Sequence, residues 1–133
     1  MWLYEIISGK MYDMALDGAY LAGTAWSGYD VHRNNPASCI VHHLGPIPPG
    51  VYQIEPARDS TELGPLVLDL THVVGDNFGR SLFRIHGDNR TPQLWDASHG
   101  CIIAEHALRV TLSESTDRTL LVVAELPHDL AVA

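Results

Sequence analysis

The six residues "GPIPPG" (45–50) limit this chain more than any other stretch, because they fit neither a helix nor the interior of a sheet. Proline fixes φ and glycine supplies unusual φ, so the segment reads as a rigid turn that feeds the short strand "VYQI". The same punctuation recurs throughout. Eleven glycines and eight prolines are spread along 133 residues, which predicts one compact domain of short elements joined by turns.

The elements follow from periodicity. "WLYEII", "MYDMAL" and "AYLAGTAWSG" are separated by "SGK" and by Asp17-Gly18, joints suited to tight hairpins, and predict a β-meander. Residues 31–43 predict a long loop, "PLVLDLT" an alternating strand, and "LFRIH" (82–86) a short strand. A polar connection then leads to "SHGC". In "IIAEHALRVTL" apolar residues recur every three to four positions, which predicts the one helix, starting just after Cys101. "RTLLVVAEL" predicts a buried closing strand. The sum is a mainly β fold, an antiparallel sandwich or squashed barrel with one short helix after Cys101, in a single domain over 1–133.

Charge narrows the function. The net charge is −8, with Lys10 the single lysine, and no basic cluster exists, which argues against nucleic acid. No apolar run is long enough to span a bilayer, and an acidic surface is repelled by anionic membranes, so no membrane insertion is expected. The N-terminus has no basic region followed by an apolar run. The expected product is therefore made in the cytoplasm without a signal peptide, and needs a separate machine for export.

Chemistry concentrates at Cys101. Gly100 permits a tight turn before it, and a helix starting just beyond would lower the thiol pKa and aim backbone N–H groups at a developing oxyanion. A thiol nucleophile needs a base. His86, at a strand end before Gly87, and His99, two residues before Cys101, are both candidates, with His86 favoured because it is rigidly held. Arg84 shares the face of His86, while Phe83 and Ile85 face the core. The remaining histidines lack paired metal-ligand spacing, so no metal or other cofactor is expected. Cys39 reads as a loop or core residue, with a disulfide to Cys101 as the second reading. Trp95 suits substrate stacking or core packing.

The pair "IHGDN" (85–89) and "SHGCI" (98–102) resembles the signature of the YkuD-type L,D-transpeptidases: a histidine, a spacer of a dozen or more residues, then Ser-His-Gly-Cys. "NNP" (34–36), "GPIPPG", "GP" at 64–65 and "FGRSLFRIHGDN" (78–89) are similar to a short branch found as type VI secretion effectors, the Tlde family. The resemblance implies Cys101 as nucleophile and His86 as base, with the carbonyl of Gly87 orienting the imidazole. It also implies an oxyanion hole from the N–H groups of Gly100 and Cys101, and makes His99 a positional residue. The wider family often has arginine where Ile103 stands, so the substrate carboxylate is expected at Arg84 or Arg80, with Arg90 weaker. Ser98, His99, Asp88 and Asn89 are further candidates for contact with the peptide or for holding the loop.

The activity so implied is L,D-carboxypeptidase or L,D-transpeptidase action on peptidoglycan stem tetrapeptides in a target-cell periplasm. Delivery by a secretion apparatus and a cognate immunity protein are implied with it. The alternatives are a metal-dependent hydrolase using the histidines, or a non-catalytic wall-binding module on the same scaffold.

Overall fold

A computed structural model describes residues 1–88 and 100–127. The described residues form nine strands and one α-helix. They are β1 (Trp2–Glu5), β2 (Lys10–Ala15), β3 (Gly18–Ser27), β4 (Gly50–Ile54), β5 (Arg58–Ser60), β6 (Gly64–Val74), β7 (Arg84–His86), β8 (Ile102–Ala104), α1 (His106–Glu114) and β9 (Thr119–Val123). Eight strands close into a barrel in the order β4-β9-β1-β2-β3-β8-β7-β6, with β6 returning to β4 and β5 hanging from the edge of β6. Closure removes the exposed edges that an open sheet would present.

The predicted meander is β1-β2-β3, paired antiparallel. Two neighbours are parallel instead: β1 with β9, and β7 with β8. The second decides where the chemistry sits, since parallel strands adjacent in sequence need a long crossover. The spacer between His86 and Cys101 is that crossover.

Side chains alternate about the barrel wall. Trp2, Tyr4, Tyr52, Leu68, Ile85, Ile102 and Leu120 fill the interior, while Leu3, Tyr12 and Ala19 form a smaller cluster outside with Leu121, Val123 and Leu126. The all-buried pattern of β1 follows from having apolar neighbours on both faces. Arg118 ends α1 by donating to the carbonyls of Leu112 and Ser115, and it ties that end to Ile54 and Glu55 on the barrel.

The helix differs from expectation. Ile102–Ala104 is strand β8, and α1 starts only at His106. Ile102 and Ala104 enter the core as alternate residues, so the apparent helical spacing from Ile103 onward belongs to two elements. The helix buries Leu108, Arg109 and Leu112, leaving Ala107 exposed. The predicted strand 82–86 also shortens to Arg84–His86, because Leu82 takes a left-handed conformation (φ +62°).

Candidate active site

The register of β7 and β8 places the site. Ile85 pairs with Ile102 and both point into the core; His86 pairs with Ile103 on the opposite face. One step back along the same register sets Cys101 beside Arg84, whose backbone N–H donates to the thiol sulfur. Arg84, His86 and Cys101 thus share one face of a two-strand platform, with His86 and Cys101 diagonal neighbours.

His86 is completely buried, and its Nδ1 lies 2.8 Å from the carbonyl oxygen of Gly87. A carbonyl only accepts, so Nδ1 carries the hydrogen and the neutral ring holds its lone pair on Nε2. That is the tautomer a general base needs. A Cβ at Gly87 would lie 2.7 Å from Nη2 of Arg109, so only glycine lets the chain pass this close to the guanidinium.

Cys101 is buried, and its Sγ lies 3.8 Å from the carbonyl oxygen of Leu82. Burial pushes its pKa up to about 11; the backbone N–H and charge of Arg84 and the charge of Arg80 pull against this, and Asp69 adds to it. The expected lowering by a helix terminus is therefore corrected: β8 separates Cys101 from α1, and desolvation dominates. Cys39 is likewise a buried thiol, pushed up to about 11 by burial.

The backbone around Cys101 is held by side chains the sequence reading did not single out. Ser27 Oγ donates to the Cys101 carbonyl (2.7 Å) and accepts from Ile47 N (2.8 Å). Asn34 Oδ1 accepts from Ser27 N. The "NNP" and "GPIPPG" segments thus converge on the cysteine. Gly100 has φ +103°, and a Cβ there would collide with Arg80 Nη2.

Two recesses flank this face. One, of about 240 Å³, is lined by Cys101, Arg84, Arg80, His42 and His43 together with Gly79, Ser81 and Leu82, with no carboxylate among the described residues of its lining. The other, of about 420 Å³, is lined by Asp88, Ile103, Glu105, His106 and Arg109 among others. His42 Nε2 is 2.7 Å from the Phe78 carbonyl, which fixes one wall of the first recess. The adjacency of His42 and His43 in sequence gives no hint of this wall.

The two expected carboxylate-binding arginines differ. Arg84 is partly exposed in the recess, with Nε 3.4 Å from Asp69; Asp69 already accepts two hydrogen bonds from Arg58, at 2.6 and 3.0 Å. Arg80 lines the same recess. It is buried, and it donates to the carbonyls of Cys39 (2.6 Å), Pro46 (2.8 Å) and Gly45 (2.8 Å). Asn89, Arg90, Trp95, Ser98 and His99 lie outside the described residues, as does His128. Among the described residues no three His, Cys, Asp or Glu side chains come close enough to hold a metal, and no helix is long and apolar enough to cross a membrane.

The closed β-barrel sets a carbonyl-anchored histidine at the end of β7 and a cysteine immediately before the parallel neighbour β8. Residues 22–123 match the family model of the Tlde1 domain, and the chain belongs to that family, the type VI secretion effectors with L,D-transpeptidase-like activity. Membership brings a peptidoglycan substrate and a type VI secretion context. No curated protein and no solved structure gave a match.

Proposed function

We propose that the protein is a cysteine acyltransferase that removes or exchanges the terminal D-Ala of peptidoglycan stem tetrapeptides. The observation that carries this reading is the Nδ1 hydrogen bond of His86 to Gly87 O, on the strand beside Cys101.

A thiol with pKa about 11 is ionised at roughly one part in 10⁴ at neutral pH, so a neighbouring base decides the rate. His86 Nε2 takes the thiol proton as Sγ attacks the carbonyl carbon between the diamino acid and D-Ala. Backbone N–H groups at Gly100 and Cys101 receive the oxyanion. The C–N bond then breaks, the imidazolium returns its proton to the departing amine, and D-Ala leaves behind a thioester. Water attacking that thioester gives the L,D-carboxypeptidase product; an amine gives exchange or a cross-link. In either case His86 removes the incoming proton and the thiol is restored.

Arg84, in the recess beside Cys101, holds a substrate carboxylate through its planar fork. The recess beside Asp88 lies toward the other end of the platform and suits the incoming amine. Loss of tetrapeptide donors starves ordinary cross-linking, which fits a toxin acting in a rival's periplasm and a producer protected by an immunity protein.

Incubation with purified tetrapeptide muropeptides, with and without a D-amino acid, tests the reaction. The expected products are tripeptides alone and tripeptides plus exchanged tetrapeptides. Unchanged muropeptide masses in both arms would reject it.

A further inference from the structure

Two arginines near this site are buried and have no carboxylate within ion-pair distance among the described residues. Burying a guanidinium without a counter-ion is costly, and in both cases the cost is met by main-chain carbonyls. Arg80 donates to Cys39, Gly45 and Pro46, which joins the rigid 45–50 turn to the place where Gly100 packs against its Nη2. The ring of Phe83, the residue before β7, lies 5.7 Å from the same guanidinium. Arg109 donates from Nε to Ala104 O (3.0 Å) and from Nη1 to Pro65 O (2.8 Å) and Leu66 O (3.1 Å). Its Nη2 packs against Gly87.

We propose that Arg80 and Arg109 are paired positioning residues, Arg80 bracing the Gly100–Cys101 turn that presents the nucleophile and Arg109 bracing the Gly87 carbonyl that orients His86. The inference rests on the Cys101–His86 reading above. Each cation sits directly behind a glycine whose missing side chain is the space the guanidinium occupies. Each holds several carbonyls at once, which a planar fork does and a lysine ammonium does not. Arg80 also faces the thiol and favours its ionised form. Neither cation needs to touch substrate for this role.

The test is the rate of Cys101 alkylation by iodoacetamide, read by peptide mass from neutral to alkaline pH, with thermal unfolding measured in parallel. The variants are R80K, R80Q, R109K, R109Q and a His86→Ala control. Folded Arg80 and Arg109 variants are expected to alkylate about tenfold more slowly at neutral pH, with the profile displaced to higher pH and only slight rescue by lysine. A profile superimposable on wild type in any folded variant overturns that arginine's role. If all four variants fail to fold, the arginines serve the fold and the proposal falls. If His86→Ala leaves the wild-type profile unchanged, the Cys101–His86 reading fails instead, which separates the two.

Discussion

Ile85 and Ile102 pair in parallel register across β7 and β8, and this contact turns His86 and Cys101 to the same face of the sheet. Both isoleucines are fully buried in the barrel, so the register is fixed by the core and not by the site. A slip of one residue would turn each site residue inward and an isoleucine outward.

Ser27→Ala removes a hydroxyl that bridges Cys101 O and Ile47 N. Both backbone groups would lose this partner while staying buried, a loss of about 1–3 kcal/mol. Chemical denaturation should show this, and alkylation of Cys101 should slow. Unchanged stability would mean that the bridge contributes nothing.

Gly100→Ala places a Cβ against Arg80 at a left-handed φ of +103°. The expected cost is at least about 1–3 kcal/mol from backbone strain, before the collision is counted. A circular-dichroism melt that overlays wild type would contradict the geometry of this turn.

These contacts mark what the sequence made legible. The meander could be read because β1–β3 alternate and their turns carry glycine. His86 and Cys101 are singled out by their glycine neighbours and by family resemblance. The start of α1 was misplaced because β8 is a buried three-residue run, which periodicity alone does not separate from a helix. The burial of Arg80 is not legible, because an arginine in a "GRS" turn looks exposed and its three carbonyl partners come from distant segments. Arg109 did leave a trace, since it falls on the buried side of α1 with Leu108 and Leu112.

If Arg84 holds the substrate carboxylate as proposed, Arg84→Gln should raise KM for tetrapeptide about tenfold or more while changing kcat less, because the thiol and imidazole stay in place. Steady-state kinetics of D-Ala release separate the two effects. A fall in kcat at constant KM would assign Arg84 to the chemical step instead.

Stability should fall at alkaline pH. The Cys101 thiol is raised from 9.0 to about 11 in the folded state, so folding favours its protonated form. That contribution is fully present below about pH 9 and is lost as pH rises through the folded value. Urea unfolding of wild type and Cys101→Ala across this range should show a steeper decline in wild type. Parallel declines would show that Cys101 does not titrate in this way.

The central claim is that Cys101 carries the acyl group. The most direct measurement is D-Ala release from purified stem tetrapeptide by wild type and by Cys101→Ala, each shown to be folded by its melting curve. Release by wild type, with loss of about 10³-fold or more in the variant, is the predicted result. A folded Cys101→Ala protein that releases D-Ala at the wild-type rate would contradict it.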